Sequence, residues 1–543
     1  MYIKKIVIKN FKCFKDFSFE PNKRMNILVG DNNEGKSTIL EAIHLCLTGT
    51  FRGRYLKNNL TQDIFNNEIV NQYIEEIKIN KSIALPEMLI ELYFDDSEPL
   101  LKGMENSEGK NEASISFCVK FDNKYQEEYE TLKQNEEIVT LPIEYYKIEW
   151  RSAADKEITG RTVPIKSILI DTSDTNTRNS SDSCIARIVK DKLEEKEIID
   201  VSQAYRKVRD TFVKDTTIKA INTRLSEESH FMDNTIEIDV EMLNRNDWEK
   251  AVITKINTIP FDYIGKGEQS SLKIELSLTN KKAEKSGILL LEEPENHLTH
   301  AKLNKLINDV SNYGKEKQIF ITTHSSFVAN KLGIEYLELI NNKLLTKFEK
   351  LTVDTKNFFI KKPGYDTLRF LLCKKAILVE GDADELIVQK AYIQKYNKLP
   401  IENEIDVISV GTSFLRFLEL AELLKKKTVV VTDNDGDIEA LECKYKEYIG
   451  QNKKEYIDIC YDKATHTNQG DLKSKNGKFN YDTLEPCMAR ANNLKILNTV
   501  LGKSFETDDE LIKYMVNNKT DCALKIFESE IKINYPTYIE EAI

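Results

Sequence analysis

A glycine, four residues and then Gly-Lys-Ser, at Gly30, Gly35, Lys36 and Ser37, end one apolar run and open a helical pattern. Such a loop demands a particular setting. It needs a strand to deliver it and a helix whose first N–H groups can point at an anion. Both are legible here. Met25–Val29 reads as a buried strand, and "KSTILEAIHLCL" places Ile39, Leu40, Ile43 and Leu47 on one helical face. In this setting the backbone from Gly30 through Asn33 to Gly35 wraps phosphates. Lys36 reaches the outer ones, and Ser37, with Thr38 beside it, offers a hydroxyl to Mg²⁺. An α/β unit that holds ATP is expected.

Two further strand ends carry chemistry that fits this loop. "GILLLEEPENHLTH" (287–300) is an apolar strand that delivers Glu292 and Glu293 at its C-terminal end. One carboxylate there can hold the magnesium shell while its neighbour orients an attacking water. "QIFITTHSS" (318–326) is a second apolar strand, ending at His324, in place to sense a γ-phosphate. Between loop and acids lies "YIGKGEQSSLKIEL", with Gly265, Gly267 and Gln269 ahead of a helix.

A different pattern begins near residue 375. "KKAILVEG", a helix, "EIDVISVG", a helix and "KKKTVVVTDND" alternate as β-α-β-α-β, the signature of a parallel, doubly wound sheet. Strand ends in such a sheet share one rim. That rim would gather Glu380 with Asp433 and Asp435, and like-charge repulsion makes the gathering costly unless cations bind. Hard oxygen ligands suit Mg²⁺ or Mn²⁺. Two such ions about 4 Å apart can activate water and stabilise a leaving oxygen in phosphodiester cleavage. Gly411 ends the intervening strand, where it suits either phosphate contact or a tight turn. Lys425, Lys426, Lys427 and the run 473–478 are candidate contacts to a DNA backbone.

Composition narrows the class. A chain of 543 residues calls for two to four domains. No apolar run approaches the roughly 20 residues of a membrane span, and "MYIKKIVIKNFKCF" alternates like a strand and lacks the form of a signal peptide. Nine cysteines without a Cys-x-x-Cys pair indicate neither a disulfide framework nor zinc. A cytoplasmic protein is expected. The net charge of −11 argues against blanket nucleic-acid binding but leaves room for a local basic groove.

The order of glycine loop, Gly-x-Gly-x-Gln, Glu-Glu-Pro strand and His strand, after the opening "IVIKNFKCFKDF", resembles the ATP-binding-cassette ATPases of the SMC and RecF group. The resemblance implies that the segment Gly265–Ser271 caps a nucleotide held by another subunit, so that ATP is sandwiched in a homodimer or higher assembly. Glu292 stands where the group usually has Asp, and the signature segment is degenerate. Both departures bear on hydrolysis more than on binding.

The ordered set strand–Glu-Gly, strand–Gly411, strand–Asp-x-Asp resembles a Toprim domain. An ABC-type ATPase followed by Toprim resembles, over essentially the whole chain, the OLD (overcoming lysogenization defect) family of endonucleases. The implied fold is an α/β ATPase head (1–183 and 233–352) with a helical dimerisation insert (184–232), then a doubly wound Toprim domain with C-terminal helices (353–543). Residues 348–366 read as a connector. Carried across residue by residue, the resemblance makes Glu380, Asp433 and Asp435 ligands of a first metal. It makes Asp384 or its neighbour Glu385 the second acidic ligand, Glu485 in "YDTLEP" a ligand of a second metal, and Lys519 a catalytic cation. It also implies double-stranded DNA as substrate and anti-phage defence of the Gabija-like or retron-associated kind. A neighbouring helicase, or a reverse transcriptase with its RNA–DNA hybrid, would then be the partner. The rivals are a non-cutting RecF/SMC-like ATPase and a topoisomerase or primase use of Toprim.

Overall fold

A computed structural model describes residues 1–95, 98–135, 138–160, 162–171, 193–228, 238, 253–278, 287–313, 317–361, 367–466, 470–474 and 477–543. They form two compact units, one of residues 1–28, 32–323 and 342–344, the other of 29–31, 324–341 and 345–543.

In the first unit, β1 (Ile3–Phe11) and β2 (Phe14–Phe19) form a hairpin, followed by β3 (Met25–Gly30) and α1 (Lys36–Thr48). β4 (Met88–Phe94), β5 (Glu112–Phe121) and β6 (Tyr146–Ser152) extend the hairpin into an antiparallel sheet, β1 pairing β4, β4 pairing β5 and β5 pairing β6. Four strands of a second, six-stranded sheet are parallel. β7 (Ser167–Asp171), β8 (Ile288–Glu292), β9 (Gln318–Thr322) and β3 lie side by side in that order. Its strands are near-continuous apolar runs because both faces are covered, and Leu290, Phe320 and Ile27 are fully buried. The register brings Asp171 level with Glu292, and Glu292 level with Thr322. Acidic side chains therefore line one end of the sheet.

Within the span read as a helical insert, α2 (Glu195–Lys214) and α3 (Thr216–Glu228) are described; residues 184–192 and 229–232 of that reading lie outside the described residues. Ile199 and Val208 on α2 are exposed. α4 (Lys266–Leu278) follows the Gly-x-Gly segment, and α5 (His300–Tyr313) follows the Glu-Glu-Pro turn.

In the second unit, the connector reading of 348–366 is too simple. α6 (Val353–Lys361) occupies its middle, anchored by a fully buried Phe359 set edge-on to Phe417 at 5.4 Å. Then come β10 (Lys375–Val379), α7 (Asp382–Tyr396), β11 (Ile405–Ser409), α8 (Phe414–Leu424), β12 (Lys427–Val431) and β13 (Ile457–Cys460). The sheet order is β11-β10-β12-β13, every pair parallel. Val379 pairs Ser409, and Val431 pairs Cys460, so the C-terminal strand ends do share a rim. α9 (Leu484–Ala491), α10 (Lys519–Glu528) and α11 (Thr537–Ala542) close the chain and contribute Leu484, Ile526 and Ile539 to the core under that rim.

Candidate functional site

The glycine loop is held in a narrowly constrained conformation. Gly35, at φ 99°, is the N-cap of α1, and a Cβ there would lie 2.4 Å from the Phe14 ring and 2.7 Å from Cys13 Sγ. Only glycine fits. Asn33 is also left-handed, at φ 66°. Lys36 and Thr38 are buried at the start of the helix. Across the sheet, Ser37 donates to Glu292, whose carboxyl is pushed up to about 7 by burial, with the charges of Asp171, Glu41 and Glu293 adding to the effect and the Ser37 bond opposing it. A carboxyl beside the loop's serine, in an anionic surround, suits a cation shell. Asp171 was not foreseen, although "SILID" ends an apolar run in an acid just as "ILLLE" does.

Glu293 sits at φ 43°, a strained position for a non-glycine residue. Two contacts to Thr322 from its N–H, 3.0 Å to the carbonyl and 3.2 Å to the hydroxyl, hold it there. Asn296 Nδ2 donates to its Oε2 at 2.8 Å. Gly265 is open, whereas a Cβ on Gly267 would meet the His297 carbonyl at 2.1 Å. The Gln269 amide donates to the carbonyls of Phe261 and Ile264, at 3.0 and 3.1 Å. It braces the turn before α4. In the second unit, His324 is exposed ahead of Ser325, whose hydroxyl caps the next helix through Val328 N–H.

The second candidate site is the rim of the four-stranded sheet. Glu380 follows β10 and is exposed; Asp384 lies one turn into α7 and accepts from Gly381 N–H at 3.1 Å. Burial pushes the Asp384 carboxyl up to about 6, reinforced by Glu485 and then Glu380. Asp433, after β12, is pushed well above the usual range by burial, then by Asp384, with Glu485 and Asp435 adding. Its Oδ2 accepts from Leu484 N–H at 3.1 Å, and Tyr538 Oη lies 3.5 Å from Oδ1. Carboxylates from three stretches of chain therefore feel one another. Glu385 turns elsewhere, its Oε1 lying 3.5 Å from Arg369 Nη2 and accepting from Gln389. The electrostatic neighbours of the cluster thus include Asp384 and not Glu385.

Glu485 is 4% exposed. Lys519 Nζ pairs with its Oε1 at 3.1 Å, and the buried Oε2 has no hydrogen-bond partner among the described residues. A buried carboxylate oxygen without a partner is costly and suits a cation or a donor. The donor set, all carboxylate, matches Mg²⁺ or Mn²⁺. Among the described residues, no three His, Cys, Asp or Glu groups are drawn close enough to hold an ion as they stand. The carboxylates are neighbours, not a closed cage.

Supporting residues fix the rim. Asn434, 2% exposed, donates to the carbonyls of Asp462 and Ala464 at 2.7 and 2.9 Å and accepts from Gly436 N–H at 2.9 Å. This clamp forms the turn in which Asp435 is left-handed at φ 50°. Asn480 Nδ2 donates to Asp435 Oδ1 at 3.1 Å. Asn434 and Asn480 were missed by sequence reasoning because asparagines in loops carry no period. Gly411 is left-handed at φ 58°, a tight turn. Lys426 is turned inward, its ammonium bonded to the Cys373 carbonyl and its pKa pushed down by burial, which removes it from the candidate DNA contacts.

Two family models match the chain. One is described as an AAA ATPase domain, over residues 1–166. The other is the TOPRIM domain of overcoming-lysogenization-defect-like proteins, over residues 371–435. Structural maintenance of chromosomes protein 6 of Saccharomyces cerevisiae is 38% identical over 73 residues, 13% of this chain and 7% of that protein. An OLD nuclease of Thermus scotoductus is 28% identical over 168 residues, 28% of this chain and 31% of that protein. The chain thus spans under a third of the length of these relatives. Among solved structures, an Smc head domain of Pyrococcus furiosus with the C-terminal domain of ScpA is 13% identical, covers 66% of this chain and 99% of that one, and has a TM-score of 0.34. No helix among the described residues is long and apolar enough to cross a membrane.

Proposed function

We propose that the chain, which matches an AAA ATPase domain model and an OLD-like TOPRIM domain model and resembles an OLD nuclease, is an ATP-gated, divalent-metal-dependent DNA endonuclease. The observation that carries this reading is the Asp433 environment. Burial and the charges of Asp384, Glu485 and Asp435 all resist its ionisation, an expense that a fold retains where cations are to be held. Glu380, Asp384, Asp433, Asp435 and Glu485 would hold Mg²⁺ or Mn²⁺, which when bound supplies water activation and charge neutralisation at the phosphodiester. Lys519, paired with Glu485, would offset negative charge on the scissile phosphate. Lys36, Ser37 and Glu292 would hold Mg·ATP, with Glu293 orienting water and His324 sensing the γ-phosphate. We assign the ATP-dependent gate to a homodimer that uses Gly265, Gly267 and Gln269 and the helices near 195–228. The biology proposed is anti-phage defence with a neighbouring partner, a helicase or a reverse transcriptase with its RNA–DNA hybrid.

Supercoiled plasmid incubated with the protein and Mg²⁺ or Mn²⁺, with and without ATP, tests the reading. Cutting should require the metal and be lost in Asp433→Asn, while Lys36→Ala should remove only the response to ATP. A second reading, a non-cutting RecF/SMC-like ATPase, draws on the absence of a closed cation cage among the described residues. Unchanged biological activity in an Asp433→Ala, Asp435→Ala double variant would favour it.

A further inference from the structure

We propose that His466, oriented by Asp482, accepts the proton of the water that attacks the phosphodiester at the Asp433–Asp435 turn; this rests on the nuclease reading above. Asp482 is 1% exposed, and both of its oxygens serve one residue. His466 N–H donates to Oδ1 at 2.8 Å and Oδ2 at 3.1 Å, and ring Nδ1 meets Oδ1 at 2.9 Å. A backbone clamp alone would need only the first two bonds. The third fixes the ring. With Nδ1–H donating to the carboxylate, the neutral imidazole carries its lone pair on Nε2, the arrangement a general base requires. Nε2 has no hydrogen-bond partner among the described residues, and the side chain is 18% exposed.

Two independent tethers hold His466 beside the acidic rim. Asn434, inside the turn, grips the carbonyls of Asp462 and Ala464, just before the histidine. Asn480 joins the two partners directly: Nδ2 donates to Asp435, and Oδ1 accepts from Asp482 N–H at 2.9 Å. One connected network therefore runs from the Asp435 carboxylate to the imidazole. The charged groups that meet the ring are Asp482 and, at 3.8 Å, Asp462, which Arg490 approaches at 3.4 Å.

In the step proposed, Nε2 takes a proton from water as the water oxygen bonds to phosphorus and the P–O bond to the leaving strand breaks. The leaving oxygen takes a proton from solvent water, and the imidazolium returns its proton to the hydroxide so formed. The net change is one water added across the phosphodiester.

His466→Asn is the discriminating variant, because it keeps an N–H for Asp482 and lacks the second nitrogen. Plasmid-cutting rates across pH should fall about 100-fold in kcat, with the acid limb of the profile lost and the Mn²⁺ requirement within about twofold of wild type. In His466→Ala, free imidazole should restore cutting. A variant that cuts at the wild-type rate, or that loses rate but keeps the acid limb, overturns the assignment. So does a failure of imidazole to rescue His466→Ala that still melts like wild type. Asp433→Asn is the control that separates the two readings. If wild type cuts and Asp433→Asn does not, a normal His466→Asn sinks only the histidine; if wild type cuts nothing under any metal condition, the nuclease reading falls, and the histidine with it.

Discussion

Replacing Asp384 by Asn should make the metal-free protein more stable while weakening the cation binding proposed for the rim. The Asp384 carboxyl stands at about 6 in the fold against an ordinary 3.8, first through burial and then through Glu485 and Glu380. A carboxyl raised in the folded state contributes stability below its unfolded pKa and loses it as pH rises through the folded one. Between pH 4 and pH 8 the loss integrates to about 3 kcal/mol, at 1.36 kcal/mol for each unit of pKa. Relaxation and water entry reduce this ceiling to about 1.5 kcal/mol in practice. For a unit of roughly 150–250 residues, that is about 3–6 °C in Tm. Asn keeps an oxygen to accept from Gly381 N–H, so the α7 terminus is not itself the cost. Melting in EDTA should therefore show Asp384→Asn ahead of wild type by that margin at pH 8 and level with it near pH 4. Addition of Mn²⁺ should reverse the order, because wild type gains a ligand-bound state that the variant binds weakly. A variant that melts with or below wild type at pH 8 in EDTA, or a gap that does not change with pH, would refute the electrostatic reasoning.

Three further outcomes are expected from the same geometry. Gly35→Ala, forced against Phe14 and held at φ 99°, should abolish retention of a fluorescent ATP analogue and lower Tm. Asn434→Ala removes two buried donors to the Asp462 and Ala464 carbonyls, which should cost about 2–3 kcal/mol in a denaturant melt and abolish plasmid cutting while ATP binding persists. Glu292→Gln removes a carboxyl raised from 4.5 to about 7; the nucleotide-free variant should gain stability over wild type as pH rises from 4.5 to 7, hold that gain above 7 and lose it below pH 4, measured by melting without Mg²⁺.

Much of this architecture was legible because buried parallel strands are written as continuous apolar runs, and the sheet places the residue at the end of each run. "AILV", "TVVV", "ILLL" and "QIFIT" each announced a strand, and Glu380, Asp433, Glu292 and His324 stand at or just past those strand ends. The choice between Asp384 and Glu385 was not legible. Both are acidic and adjacent on one helical turn; only the position of Arg369 shows which one is already engaged. The rest of the rim was hidden for a related reason. Asn480, Asp482, Leu484 and Glu485 fall in one short segment, yet each meets a different partner, Asp435, His466, Asp433 and Lys519. Sequence reading saw a single acidic residue in "YDTLEP", because a segment that threads across a rim has no repeat to reveal it. The rim is assembled by loops and helix ends from across the second unit, so its carboxylates can be held as close neighbours without a closed cage.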